Sequence, residues 1–280
     1  MTCSSVLPIQ SVWLRPPGTP SLLSLQEAGW KTPICLDELH QEFNTYHQLL
    51  QSLGIEVNLV PSSPNPDSIY LYDVLLSTPW GFVILQSRKK NRTTESTELR
   101  NFIEKNNLPI LGNIKGNGYI DGGDLFWIHP HLLAMGLSWR SNIEGAKQLR
   151  KLLSPYQIQV EAYDLPNLYG QSVCLHLMSL VSPIHQNLAL VCETALPIRL
   201  HQALEQHGYT LLSVPPEEWE SLGSNVLALG HRRVISLAGN PQTKKRLQKA
   251  GIEVIEFHGP NLCLAGTGGP TCLTMVYRRA

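Results

Sequence analysis

The fold is decided by the stretch Leu36-Asp-Glu-Leu-His-Gln-Glu-Phe-Asn-Thr-Tyr-His-Gln-Leu-Leu50 and by Gly54-Ile-Glu-Val-Asn-Leu-Val-Pro61, which follows it closely. The first segment places apolar residues three and four positions apart, a pattern typical of an amphipathic helix. The second begins with a helix-breaking glycine and then alternates apolar and polar residues, as a half-buried strand does. Together they predict a helix that leads directly into a short strand.

This helix-to-strand pattern recurs along the chain. The short strand segments begin at residues 54, 107, 156, 208 and 251, which gives a repeat of about fifty residues. In each unit the strand is followed by a turn and by one or two longer apolar runs, such as Gly81-Phe-Val-Ile-Leu85. The repeating unit is therefore predicted to contain one helix and three short strands. The other four helical segments are Thr97–Lys105, Ile143–Leu153, Ile198–His207 and Pro241–Ala250.

The number and type of these units restrict how they assemble. One such unit cannot bury its own apolar face, so the units must stack or close into a ring. Five mixed units favour an α/β fold, a closed five-bladed α/β propeller, with a two-domain α/β sandwich as the structural alternative. No long linker divides the chain, since the nearest candidate is the turn-like Pro61-Ser-Ser-Pro-Asn-Pro66. We therefore expect residues 1–280 to form a single domain.

Charge and composition narrow the classes of partner. Lys plus Arg and Asp plus Glu both number 22, so the formal net charge is zero and no strong field attracts nucleic acid or an anionic membrane. No stretch approaches the roughly 18 to 20 apolar residues of a membrane helix, and the N-terminus lacks the pattern of a signal peptide. We expect a cytoplasmic protein that acts on a small molecule and that could form a homodimer.

The six cysteines are scattered without a Cys-x-x-Cys pair, which indicates reduced thiols rather than a disulfide framework. Cys174, Cys192 and Cys263 lie in apolar segments and are interpreted as core residues. Cys272 differs because it leaves the glycine-dense turn Gly266-Thr-Gly-Gly-Pro-Thr-Cys272. Glycines allow a substrate to approach the main chain closely, so Cys272 is a candidate nucleophile. A small buried thiol is the alternative interpretation.

Chemically active side chains occur soon after the short strand of several units, namely Asp67, Asp73, Asp121, His176 and Cys272. Equivalent positions of a radial repeat converge on its axis, so we expect these side chains to meet. An imidazole beside a thiol promotes nucleophilic attack and can then transfer protons. Carboxylates in the same place favour a cation, above all a planar guanidinium that binds them bidentately.

Four motifs resemble the guanidine-modifying, or pentein, superfamily and stand in the same chain order. They are Asp121-Gly-Gly-Asp124, Gly136-Leu-Ser-Trp-Arg-Ser-Asn-Ile-Glu-Gly145, Cys174-Leu-His176 and Gly268-Gly-Pro-Thr-Cys272. The resemblance covers nearly the whole chain. It implies the five-bladed α/β propeller of that superfamily, in agreement with the repeat count.

Within the superfamily, the chain most resembles dimethylarginine dimethylaminohydrolases. Pro66-Asp-Ser-Ile-Tyr-Leu-Tyr-Asp73 is similar to their P-D-x-x-F-x-E-D segment, and Arg92-Thr-Thr-Glu95 stands where they have R-R-x-E. Tyr72 replaces the usual glutamate, a departure that bears on recognition of the substrate head group. Arginine deiminases usually carry aspartate where Met178 stands, and they have a helical insertion for which this chain has no room.

The resemblance implies a role for each catalytic residue. Cys272 would attack the guanidinium carbon and form a covalent S-alkylthiouronium once an amine has departed. His176 would protonate that amine and later deprotonate the hydrolytic water. Asp121 and Asp73 would hold the guanidinium against the thiol.

The resemblance also implies how the rest of the substrate is bound. Arg140 and Arg92 would bind its carboxylate, and Asp67 would contact the amino acid head group, with Tyr72 close by. The substrate would be an Nω-methylated arginine, converted to citrulline and an alkylamine without a metal or an organic cofactor. Three alternatives remain: deiminase or dihydrolase activity on arginine, amidinotransferase activity, and a non-catalytic pentein fold that serves as a binding module.

Overall fold

The computed structural model describes residues 3–31, 33–168, 170 and 175–280. Within these ranges the chain forms five small sheets of three strands each. The α/β architecture of five helix-plus-three-strand units, predicted from the repeat, is confirmed. None of the helices described is long and apolar enough to cross a lipid bilayer. Cys174, interpreted from the sequence as a core residue, lies outside the described residues.

The helices and strands have the following bounds. The strands are β1 Ile9–Leu14, β2 Glu56–Leu59, β3 Leu75–Thr78, β4 Gly81–Ile84, β5 Ile110–Asn113, β6 Leu125–His129, β7 Leu132–Leu137, β8 Gln159–Asp164, β9 Val181–His185, β10 Leu188–Val191, β11 Thr210–Ser213, β12 Val226–Gly230, β13 Arg233–Leu237, β14 Glu253–Phe257 and β15 Met275–Arg279. The α-helices are α1 Leu22–Ala28, α2 Leu36–Ser52, α3 Glu95–Lys105, α4 Ile143–Leu153, α5 Leu177–Leu180, α6 Ile198–Gln206, α7 Pro241–Lys249 and α8 Pro270–Leu273.

All five sheets share one topology. In β3-β4-β5, β6-β7-β8, β9-β10-β11 and β12-β13-β14, the first two strands are antiparallel, and the last two are parallel with a helix between them. A parallel pair requires such a crossover connection. The fifth sheet, β15-β1-β2, joins the two ends of the chain, and Val276 of β15 lies opposite Val12 of β1. The last strand therefore closes the ring onto the first.

The amphipathic helices cover the sheets and also hold the loops that form the site. Helix α2 buries Leu39, Phe43 and Leu50, at the three-and-four spacing read from the sequence. Each such side chain contributes about 1.5 to 3 kcal/mol when it is fully buried. Tyr46 of the same face places its hydroxyl 2.7 Å from Thr274 Oγ1, directly after α8. This contact ties the helix to the turn that carries Cys272.

The N-terminal strand β1 was not predicted from the sequence. Its residues, Ile9-Gln-Ser-Val-Trp-Leu14, are buried at every position except Gln10. A central strand of a sheet that is covered on both faces has no reason to alternate apolar and polar residues. The period-two pattern that reveals half-buried strands is therefore missing here.

Candidate active site

A cavity of about 990 Å³ is lined by segments that follow strands of all five sheets. We call it the Cys272 cavity. The expected site residues that line it are Asp67, Asp73, Arg92, Arg140, His176 and Cys272. The propeller thus brings together side chains that lie up to two hundred residues apart in sequence. Asp121 is fully buried beneath His176, whereas Tyr72 lines a different cavity.

His176 is fixed through both its backbone and its ring. It directly precedes α5, whose first residue Leu177 donates its backbone N–H to Asp124 Oδ1 at 2.9 Å. The ring atom Nε2 lies 3.1 Å from Asp121 Oδ2, and Nδ1 lies 3.8 Å from Asp73 Oδ1. An imidazole held between two carboxylates is well placed to take up a proton and return it.

Asp121 is an ionised carboxylate, and one of its two oxygen atoms lacks a hydrogen-bond partner among the described residues. Burial alone would raise the pKa of Asp121, but the hydrogen bond and charge of His176, together with the charge of Arg140, lower it to about 2. Arg140 Nη1 lies 3.4 Å from Asp121 Oδ2. Among the described residues, Asp121 Oδ1 is buried and has no hydrogen-bond partner. Buried acceptors are normally satisfied, so an unpaired acceptor directly beneath the cavity calls for an explanation.

The two glycines after Asp121 are required by close contacts. A Cβ atom on Gly122 would lie 2.0 Å from the carbonyl oxygen of Tyr72, and one on Gly123 would lie 2.3 Å from His176 Nδ1. Gly123 also donates its backbone N–H to Asp73 Oδ1 at 3.0 Å. A side chain at either position would therefore push apart the groups that form the site.

Asp124 holds the site together from behind, a role that the sequence analysis missed. It accepts hydrogen bonds from Ser138 Oγ at 2.9 Å and Ser141 Oγ at 2.5 Å, besides the N–H of Leu177. Ser141 Oγ in turn accepts the backbone N–H of Asp121 at 3.0 Å. Burial raises the pKa of Asp124 to about 6, against the lowering effect of the charge of His176 and of the hydrogen bonds from Ser141 and Leu177. Its place at the end of the Asp-Gly-Gly-Asp run, directly before β6, was the available signal.

Arg92 lines the Cys272 cavity but makes its hydrogen bonds within the protein, and its predicted contact with the substrate carboxylate stays a prediction. Its Nε and Nη2 donate to Glu95 at 3.0 and 2.9 Å, Nη1 donates to Asp73 Oδ2 at 2.7 Å, and Nη2 also donates to the Tyr70 carbonyl at 3.0 Å. The residue is 3% exposed. Arg92 therefore neutralises two buried carboxylates and orients Asp73.

Replacing Arg92 with methionine is expected to destabilise the fold by about 3 to 5 kcal/mol, because Asp73 and Glu95 would be left buried without their cation. Urea unfolding followed by circular dichroism measures the change. The matched control is Arg88→Met, which removes an exposed arginine that lines the same cavity. The control should unfold within about 0.5 kcal/mol of the parent protein. Equal stability of the Arg92 and Arg88 variants would contradict this role of Arg92.

Asp67 is also largely satisfied by protein donors. Trp30 Nε1 donates to its Oδ1 at 3.0 Å, while Asn91 Nδ2 and Lys89 Nζ donate to its Oδ2 at 2.7 and 2.5 Å. Burial would raise the pKa of Asp67, but the charge of Lys89 leads the effects that lower it below its usual value. A carboxylate has about four acceptor positions, so at most one remains for a substrate. Lys89 and Asn91 were not predicted as site residues.

Tyr72 lines another cavity and not the Cys272 cavity, so its predicted place beside the substrate head group stays a prediction. It belongs to the 3-10 helix Leu71–Val74, in which neighbouring residues point about 120° apart. Its hydroxyl donates to the carbonyl of Leu125 at 3.1 Å, and its ring packs against the core of the neighbouring blades. Asp73 faces the Cys272 cavity, and Tyr72 therefore faces a second one.

Cys272 lies in the short helix α8 and is held by a side chain that the sequence analysis overlooked. Asn225 Nδ2 donates to Cys272 Sγ at 3.2 Å, and Asn225 Oδ1 accepts the backbone N–H of Thr271 at 3.0 Å. Burial and the charge of Asp73 raise the pKa of the Cys272 thiol to about 11, against the lowering effect of His176 and of the hydrogen bonds. A pKa raised to this extent favours the protonated thiol at neutral pH. Asn225 directly precedes β12, as Asp124 precedes β6, and this equivalence could have revealed it.

A metal ion and a planar organic cation are the two kinds of cation to consider for the acidic groups of the site. Single ligand atoms of Asp73, Asp121 and His176 lie within 4.8 Å of one another. Arg92 and Arg140 already place guanidinium groups on the two carboxylates. Three ligand groups with two cations beside them make a poor metal centre, whereas carboxylates pair well with a further guanidinium. That the protein uses no metal stays a prediction.

A family model described as N,N dimethylarginine dimethylhydrolase, eukaryotic, matches residues 26–279. The dimethylarginine dimethylaminohydrolase of Pseudomonas aeruginosa is 25% identical over 237 residues, covering 84% of this chain and 87% of that protein. A structure of that enzyme with citrulline superposes with a TM-score of 0.78 at 22% identity, covering 96% and 99% of the two chains. The N-terminal domain of a cyanobacterial arginine dihydrolase gives 0.81 at 17% identity, covering 97% and 98%. These superpositions confirm the five-bladed pentein fold.

Proposed function

This chain belongs to the dimethylarginine dimethylaminohydrolase family of the pentein superfamily, and we propose on this basis that it hydrolyses an Nω-methylated arginine to citrulline and an alkylamine. Membership of the family supports hydrolysis of a guanidino compound. One observation carries the proposal: the Cys272 thiol and the His176 imidazole line one cavity beside two carboxylates, Asp73 and Asp121. A nucleophile, a proton carrier and acceptors for a cation are the groups that this reaction needs.

In the first half of the reaction, Cys272 Sγ attacks the guanidinium carbon. The raised pKa favours the protonated thiol at neutral pH, and a bound guanidinium favours its ionisation because an adjacent cation stabilises a thiolate. The thiol proton passes to His176, the C–S bond forms, and the electrons of one C–N double bond move to nitrogen. His176 then protonates the leaving amine, the C–N bond breaks, and an S-alkylthiouronium remains on Cys272.

In the second half, water attacks the same carbon and gives a proton to His176. Collapse of the adduct breaks the C–S bond, the hydroxyl of the adduct loses its proton to solvent as the carbonyl forms, and the sulfur recovers a proton from the imidazolium. The substrate carbon leaves as the ureido group of citrulline, and the thiol and imidazole return to their initial states. The ion pair of His176 Nε2 with Asp121 stabilises the imidazolium at both stages.

Asp121 and Asp73 bind the guanidinium in this proposal. Asp121 Oδ1 has no partner among the residues that the structure describes, so it can accept an N–H of the substrate. Asp73 is held by Arg92 and by the N–H of Gly123, which fix its carboxylate without occupying every acceptor position. Rigid acceptors of this kind stabilise developing charge more effectively than mobile ones.

Cations other than Arg92 are better placed for the substrate carboxylate, because Arg92 already donates to Asp73, Glu95 and the Tyr70 carbonyl. Arg140 and Arg88 both line the Cys272 cavity, and Arg88 places its guanidinium carbon 5.8 Å from the centre of the Tyr119 ring. We propose that Arg140 and Arg88 together bind the carboxylate. Asp67, with one acceptor position remaining, would contribute a single contact to the amino group.

Citrulline and amine formation from four guanidines tests the proposal. The panel is asymmetric dimethylarginine, monomethylarginine, arginine and agmatine. We expect dimethylarginine and monomethylarginine to give citrulline with dimethylamine and methylamine, respectively. Ammonia from arginine alone would assign the chain a deiminase or dihydrolase activity instead, and amidine transfer to an added amine would assign it a transferase activity. No turnover of any of the four would leave the non-catalytic binding module.

The alkylation of Cys272 by iodoacetamide should be slow at neutral pH and should rise about tenfold for each pH unit up to roughly pH 10, because only the thiolate reacts. The reason is the raised pKa of about 11 for this thiol. Mass spectrometry of the separate peptides measures the rate, with the exposed Cys35 as an internal comparison. A Cys272 rate that reached its plateau by pH 8 would contradict the neutral resting thiol.

A cytoplasmic location, a single domain and a homodimer stay predictions. Size-exclusion chromatography with light scattering tests the last of these. Neither a metal nor an organic cofactor takes part in the steps proposed above.

A further inference from the structure

A second cavity of about 260 Å³ lies directly behind the candidate catalytic residues. We call it the rear cavity, and its walls include Tyr72, Gly122, Thr271, Val276 and Arg279. The first three are chain neighbours of Asp73, Asp121 and Cys272, respectively. The two cavities are therefore separated by little more than the backbone that carries the site. The proposed reaction makes no use of the rear cavity.

The rear cavity contains a cation that no acid neutralises. Arg279 Nη1 donates to the carbonyl of Ala228 at 3.0 Å and to the carbonyl of Leu7. In the described part of the chain no carboxylate lies within ion-pair distance of Arg279, and its burial lowers the pKa of the guanidinium to about 10. A guanidinium has five N–H groups, so several remain for an anion. Arg279 is only half-buried, and a bound carboxylate would supply the counter-charge that its guanidinium lacks.

A second polar group of the wall is also unsatisfied. Thr271 is only 5% exposed, and its buried hydroxyl has no hydrogen-bond partner among the described residues. Unsatisfied buried hydroxyls are uncommon and call for an explanation, such as an absent ligand or water. Thr271 and Arg279 therefore provide independent indications of a polar ligand group in this cavity.

The remaining wall is mostly apolar. Phe82, Trp127 and Met178 line it, with leucines and valines of the adjoining strands. A dry cavity of about 150 Å³ is large enough for benzene, so about 260 Å³ accommodates an aromatic ring that carries one small polar group. A single guanidinium matches one carboxylate bidentately, and the apolar walls disfavour a multiply charged ligand.

We propose that the rear cavity is a binding site for a small monocarboxylic acid with an apolar or aromatic body. The carboxylate of this ligand forms an ion pair with Arg279 and accepts a hydrogen bond from the Thr271 hydroxyl. The apolar part of the ligand contacts the apolar wall. This inference goes beyond the proposed reaction, because the ligand neither enters the Cys272 cavity nor changes covalently.

Calorimetric titration of the full chain with benzoate, phenylacetate and hexanoate tests the proposal. We expect at least one of them to bind saturably at one site per chain. Benzyl alcohol, which keeps the ring without the charge, should bind at least tenfold more weakly than benzoate, since the ion pair is lost. The variant Arg279→Met should weaken carboxylate binding at least tenfold for the same reason.

Two further variants make the result decisive. Val276→Phe fills the rear cavity and leaves Arg279 in place, so it should abolish binding even where the Arg279 variant fails to fold. The double variant Arg88→Met with Arg140→Met removes cations from the Cys272 cavity and should leave the affinity unchanged. No saturable binding below about 10 mM, equal affinity for benzyl alcohol, or loss of binding only in the double variant would each overturn the proposal.

Discussion

Turnover of every guanidine is expected to fall by at least about 10⁴-fold when Cys272 is replaced by serine, because a hydroxyl is a far weaker nucleophile than a thiol at the same position. Asn225 Nδ2 can still donate to the serine oxygen, so the side chain should keep its place. Substrate binding, measured by calorimetry, should therefore survive while kcat is lost.

The Cys272 cavity supplies its own matched control. Cys192 also lines this cavity, and its thiol donates to the carbonyl of Ser179 at 3.5 Å. The variant Cys192→Ser makes the same change of one atom at a position without a proposed role, and a hydroxyl can keep the hydrogen bond. It should retain kcat within a few-fold of the parent protein. Equal losses in the two variants would show that the cavity tolerates no such change and would remove the case for Cys272 as the nucleophile.

The second large effect is expected for Asp121→Asn, with a loss of about 10² to 10⁴-fold in kcat/KM. The amide keeps the size of the side chain but removes its charge. His176 would lose the ion pair at 3.1 Å that favours its protonated form, and a buried guanidinium would lose one of its counter-charges. Both binding and the proton-transfer steps should suffer, so KM should rise as kcat falls.

A double-mutant cycle separates this effect from general damage. His176→Ala alone should also be strongly impaired, since the proton carrier is removed. If Asp121 acts largely through the imidazole, the combined variant Asp121→Asn with His176→Ala should be little worse than His176→Ala alone. Fully additive losses would instead assign Asp121 to the guanidinium alone. An unchanged rate for Asp121→Asn would exclude the residue from the site.

The ring of five units could be predicted from the sequence because periodicity is a local property. The spacing of apolar residues predicts helix α2 and strand β2, and the same spacing recurs in four further units. The convergence of Asp73, His176 and Cys272 on one cavity follows from that symmetry. Strand β1 escaped prediction because burial on both faces removes the alternation that marks a strand.

The roles of individual side chains were harder to predict because they depend on direction rather than position. Tyr72 and Asp73 are consecutive, yet the 3-10 turn that contains them sends one to each cavity. Arg92 lies in a run of charges that resembles a solvated surface, but it becomes buried when Asp73 and Glu95 fold around it. The spacing of residues in the sequence does not predict which hydrogen-bond acceptors a long side chain will reach in the folded protein.

Both aspartates of the Asp-Gly-Gly-Asp turn help to position one histidine. Asp121 Oδ2 contacts Nε2 of the His176 ring, and Asp124 Oδ1 accepts the backbone N–H of Leu177, one residue farther along the chain. Between them, Gly123 lies against the imidazole ring and Gly122 lies against the carbonyl of Tyr72, and neither position has room for a side chain. The two carboxylates of one short turn therefore fix both the ring of His176 and the backbone that carries it.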